Sequence, residues 1–186
     1  MCSDRILTVP RAVALLPLAA WAFVFHEKVQ RDEAWAILWG CHVATLLLAL
    51  GLATRRRQLV AIATLYHVAA GLPGWLTDWI IGGHTTVSSL ISHVMTPALG
   101  LWVLGGLRLP RGTLAGAIGF HAALLPLSAW LTPAALNVNQ AFRVWGPARP
   151  YLPGHPAVAW GASVVVTGLA LAVGWWLGRR LSRAGG

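Results

Sequence analysis

Six apolar stretches divide the chain, at roughly 12–25, 34–53, 58–81, 85–107, 112–132 and 157–178. Most reach the ~20 residues that a helix needs to cross a hydrocarbon core about 30 Å thick. Backbone groups in lipid must be satisfied within the segment, so spans of this kind are helices. The expected fold is all-α: one polytopic membrane domain over residues 1–186, with about six transmembrane helices. Composition agrees, since 57% of residues are hydrophobic and 10% charged. That excludes a disordered chain and argues against a water-soluble globule.

The first stretch is short, with Arg5 and Arg11 ahead of it and Ala20-Trp21-Ala22 near its end. A signal peptide is the rival reading, and a retained helix is preferred because Asp4 is atypical of a signal. Net charge is +9. In a soluble protein that would point to nucleic acid. Here the arginines form short clusters between apolar runs, so no nucleic-acid partner is expected. Arg5, Arg11, Arg55, Arg56, Arg57, Arg108, Arg111, Arg179, Arg180 and Arg183 fall on one side. Lys28, Arg31, Arg143 and Arg149 fall on the other. The positive-inside rule then gives an inner-membrane protein with both termini cytoplasmic. Trp35, Trp75, Trp79, Trp130 and Trp160 fall near the outer ends, Trp175 and Trp176 near an inner end, as an aromatic belt would. Gly112 and Gly116, and Gly161, Gly168, Gly174 and Gly178, read as helix-packing residues. Cys2 and Cys41 do not make a disulfide framework. The oligomeric state is not legible.

Four histidines stand inside the spans. His42, His67, His93 and His121 each lie eight or nine residues into a different stretch. At 1.5 Å per residue that is about 12–14 Å from the entry face, near mid-depth for every helix. Ionisable groups at that depth face the bundle interior and are candidates for function. Thr64, Gly71 and Asp78 share a face with His67, and Thr86, Ser89 and Thr96 recur with His93. Cys41 and Thr45 flank His42, and Ser128 follows His121 by two turns. Pro73, Pro97 and Pro126 interrupt three of the helices and free backbone carbonyls. His84 is expected to meet Asp78 at the outer end of the cavity. His26 and His155 are expected in solvated loops. The long proline-rich segment 133–156 reads as a functional loop or as an interfacial one held by Phe142, Trp145 and Tyr151.

A neutral imidazole is a general base, and Cys41, Thr45, Ser89 and Thr96 are the nucleophiles within the spans. The leading expectation is an intramembrane enzyme acting on a membrane lipid or another apolar small molecule. In it His93 is the base, Cys41 the nucleophile, and His42, His67 and His121 position or polarise. The same four histidines would serve as ligands in the alternative, a haem- or transition-metal-binding redox protein. No HExxH or CxxC spacing supports zinc, and the enzyme reading requires no cofactor. A small carrier or membrane-assembly partner is the third reading.

Three stretches carry a resemblance: WGCHVATLLLALGL, LYHVAAGLPGWLTDWIIGGHTTVSSLISHVMTP and LNVNQAFRVWGP. In order and content they resemble the YwaF-like bacterial membrane proteins and, more distantly, the androgen-induced intramembrane hydrolases of vertebrates. The resemblance implies a six-helix bundle and acyl transfer or ester hydrolysis on lipids, with a Cys or Thr nucleophile and a His. It places Cys41 or His42 in the first motif, His93 in the second, and Asn137 and Asn139 in the third. Here Cys precedes His, the reverse of the order expected in that family.

Overall fold

The computed structural model describes residues 5–82, 85–106, 109–143 and 155–184, and all secondary structure among them is helical. Five helices are long and apolar enough to cross a membrane. They are α1 (Arg11–Gln30), α3 (Arg57–Ile81), α4 (Val87–Leu104), α5 (Thr113–Leu131) and α6 (Pro156–Leu181, continuing to Ala184). The sixth, α2 (Gly40–Ala53), is 14 residues long. At 1.5 Å per residue it covers about 21 Å, short of the hydrocarbon thickness.

The expected stretch 34–53 is therefore not one helix. It opens with a 3-10 turn at Ala34–Leu38, and Trp39 is extended (φ -54, ψ 138) before α2 begins. Other ends shift for local reasons. α1 runs past residue 25 because its charged last turn is paired, Arg31 with Glu27 at 2.6 Å and Lys28 with Glu33 at 2.8 Å. His26 thus lies on a helix and not in a loop, although it is exposed as expected. α4 starts after Thr86, whose hydroxyl accepts the Ser89 N–H, and stops at the left-handed Gly105 (φ 66). Pro156 opens α6, where a missing N–H costs nothing.

α3 is the hub of the bundle. Val60, Ala61, Ala63, Thr64, Leu65 and His67 on it are fully buried. Its neighbours reach it through glycines. A methyl at Gly51 of α2 would overlap Val60, at Gly100 of α4 Thr64, at Gly116 of α5 Ile62, and at Gly174 of α6 Ala69. In lipid, helices gain little from apolar burial and associate by close van der Waals packing, so the small residues belong on the buried faces. Large apolar side chains lie outside, among them Trp130, Ile80, Val166 and Leu169. Gly161 and Gly168 meet nothing within 4 Å, so the packing role expected for them is not observed. Gly100→Ala is expected to cost about 1–3 kcal/mol by overpacking against Thr64, read as a lower thermal midpoint of the purified protein in detergent.

Two helices widen at their centres. His67–Gly71 in α3 and Ile91–Met95 in α4 are π turns. Each precedes a proline. Pro73 cannot bond to the carbonyl four residues back at Ala69, nor Pro97 to that of His93, and a wider turn relieves the clash. Pro126 sits inside α5 without such a turn.

Candidate functional site

The two widened turns carry His67 and His93, and their rings meet. His93 is the centre of a three-imidazole group. Its ring lies edge-to-face against His42 and His67, with centroids 6.4 Å away in each case. His42 comes from the first turn of α2, His67 from α3 and His93 from α4, and all three are buried. Trp75, two turns after His67, stacks on His93 at 5.6 Å and 10°. Trp75 stacks in turn on Trp79 and donates its indole N–H to Thr85 at 3.1 Å.

Hydrogen bonds fix one ring and leave another open. His93 Nδ1 is 2.8 Å from the Ser89 carbonyl, which only accepts, so Nδ1 carries the proton. Ser92 Oγ sits 3.2 Å from the same nitrogen. The Thr45 hydroxyl donates to the Cys41 carbonyl at 2.9 Å and, with its one proton used there, accepts from His67 Nε2–H at 3.2 Å. His67 Nδ1 is buried with no hydrogen-bond partner among the described residues. A methyl built on Gly71 would lie 3.5 Å from this nitrogen and 3.6 Å from Cys41 Cβ. Gly71 thus leaves room for about one methyl group, bounded on its third side by the Tyr66 carbonyl at 3.7 Å. Leaving an atom such as His67 Nδ1 buried and unpartnered costs about 1–3 kcal/mol.

Two pairs of nucleophile and imidazole result. Thr45 faces His67 from another helix at 3.2 Å. Cys41 Sγ is 3.9 Å from His42 Nδ1. The sequence argument paired Cys41 with His93, on the ground that helix neighbours diverge by about 100°. The imidazole it contacts is its neighbour's, because Cys41 lies in the first turn of α2, where the side chain can swing toward residue 42.

His121 does not join the three. It sits in a second buried network. Ser163 donates to the Asn139 carbonyl at 3.5 Å and accepts from His121 Nε2 at 3.0 Å. His121 Nδ1 then accepts from the Tyr66 hydroxyl at 3.0 Å. Asn139 uses its whole amide: Oδ1 accepts from Gly40 N–H at 2.7 Å, and Nδ2 donates to Leu38 O and to Ser128 Oγ, both at 2.8 Å. Asn137 binds its own loop, accepting from Phe142 and Arg143 N–H and donating to Arg143 O. Both asparagines are thus occupied with protein partners, and neither faces the imidazole group as a substrate contact. Asp78 is exposed and stands outside the buried group. His84 lies outside the described residues, as does 144–154 with Trp145 and Tyr151. His155 is exposed and accepts from Ala157 N–H at the start of α6.

Sequence reasoning missed Tyr66, Ser92 and Ser163 and both π turns. A tyrosine within an apolar span was a usable signal, since its hydroxyl must find a partner. Among the described residues no group of three or more His, Cys, Asp or Glu side chains is placed to hold a metal ion. No family model, curated protein or solved structure matches the chain.

Proposed function

We propose that the protein is an intramembrane hydrolase or acyltransferase acting on a lipid or another apolar ester, with its reaction centre at Thr45, His67 and His93. The observation that carries this reading is the Thr45 hydroxyl held 3.2 Å from His67 Nε2 beside two further imidazoles. A hydroxyl within hydrogen-bond reach of an imidazole on another element meets the geometric criterion for an activated nucleophile. Thr45–His67 meets it better than Cys41–His42, whose contact is longer.

In the proposed reaction the Thr45 hydroxyl turns from the Cys41 carbonyl to His67 Nε2, the imidazole then holding its own proton on Nδ1; Oγ attacks the ester carbonyl carbon and the hydroxyl proton passes to Nε2. The tetrahedral intermediate collapses, and the departing alcohol takes that proton. Water, or an acceptor alcohol, then attacks the acyl-threonine in the same way and leaves with the acyl group. His93, locked by the Ser89 carbonyl and flanked by Trp75, holds the His67 ring edge-on. No metal or haem is needed for these steps. The arginine distribution sets the membrane orientation in this reading, with both termini cytoplasmic.

His93→Ala tests the reading in cells. Mass-spectrometric lipid profiling is expected to show one ester class accumulating in the variant relative to wild type. Identical profiles in wild type, variant and a strain lacking the protein would overturn it.

A further inference from the structure

The helix carrying Cys41, His42 and Thr45 has no cap of its own. Trp39, at the N-cap position, makes no side-chain cap bond. The free N–H of Gly40 is instead taken by Asn139, 99 positions later in the chain. Asn139 also grips Leu38 O on the other side of the junction and is anchored by Ser128. One amide therefore spans the point where the 3-10 turn ends and α2 begins. The loop is shaped to deliver it. Asn137, Asn139 and Gln140 all hold positive φ (46, 54 and 60). This region is costly for most residues and most tolerable for asparagine. The Asn137 side chain ties that turn to Phe142 and Arg143. From behind, the Tyr66 hydroxyl presses on Gly40 and continues through His121 and Ser163 back to the Asn139 carbonyl. Asn139 and Tyr66 thus meet at Gly40, immediately before Cys41 and His42, and α5 and α6 tie the two together through His121 and Ser163.

We infer that Asn139 is the N-cap of α2 supplied from the 132–143 loop, and that it positions the helix turn bearing Cys41, His42 and Thr45. Loop and imidazole group are in this way one mechanical unit. Asn139 is a positioning residue, since it touches none of the three imidazoles. The inference takes the importance of that turn from the proposed function, but its readout requires no turnover, so the two fail separately.

The reporter is Cys41, a half-buried free thiol, alkylated by N-ethylmaleimide in purified full-length protein carrying Cys2→Ser. Removing a cap raises local opening, so Asn139→Ala is expected to speed alkylation at least about fivefold. A second reporter, Val103→Cys with Cys2→Ser and Cys41→Ser, separates this from general loosening; Asn139→Ala should leave its rate within about twofold. The inference is overturned if Asn139→Ala leaves Cys41 alkylation unchanged, or if it accelerates both reporters alike. Should Asn139→Ala fail to fold, amide hydrogen exchange of the parent protein decides: a Gly40 N–H slowed at least about tenfold relative to an unprotected amide supports the cap, and an unprotected one overturns it.

Discussion

Replacing Thr45 with alanine is expected to lower hydrolysis of a p-nitrophenyl acyl ester by the purified protein about 10³-fold or more in kcat. That is the scale on which removing an activated nucleophile acts. KM should change little, because the hydroxyl is consumed in the chemical step and contributes little to ground-state binding. Thr45→Ser keeps an oxygen 3.2 Å from His67 Nε2 and should retain activity within about tenfold. Cys41→Ala should also stay within about tenfold, since its sulfur sits 3.9 Å from His42 and is not the attacking atom. A Cys41→Ala loss as deep as that of Thr45→Ala would transfer the nucleophile to the thiol.

Gly40→Ala is expected to be among the most damaging single-methyl additions in the chain. The new methyl would overlap the Tyr66 hydroxyl. Tyr66 cannot withdraw without losing its bond to His121, and α2 cannot withdraw without losing the Asn139 cap. Overpacking costs about 1–3 kcal/mol, and unpairing one buried polar group adds about 1–3 kcal/mol. The total, about 2–6 kcal/mol, would be read as a fall in the thermal midpoint in detergent. Gly40→Ala combined with Tyr66→Phe should recover part of it, because the clashing oxygen is gone. A Gly40→Ala protein with the parental midpoint would show that the Tyr66–Gly40 contact is not tight.

The apolar stretches were legible because crossing a bilayer imposes a length and an all-helical backbone, and five of the six are seen as long helices. The start of α2 was not, because it is set by Asn139, nearly 100 residues away. The two π turns had a local sign, Pro73 and Pro97 placed just after His67 and His93, although a proline alone does not select the turn, as Pro126 shows. Helix length was legible and direction was not. His42, His67, His93 and His121 were expected at one level, but residue counting says nothing about azimuth. Three face a common point between α2, α3 and α4. His121 is intercepted by Tyr66 and Ser163 and spends its two nitrogens there. The asparagines that the family resemblance placed in its third motif hold the loop and the start of α2. The unpartnered nitrogen of His67 was not legible, since it depends on which ring nitrogen faces Thr45.

The central claim is that Thr45 is an activated hydroxyl within the imidazole group. Its most direct test is covalent. Purified protein treated with an alkyl fluorophosphonate loses fluoride from the reagent and the proton from the attacking hydroxyl, and peptide mass spectrometry locates the adduct. One phosphonylated residue is expected, Thr45, with no adduct in His67→Ala. An adduct elsewhere with Thr45 unmodified, or labelling of Thr45 that persists in His67→Ala, would contradict it.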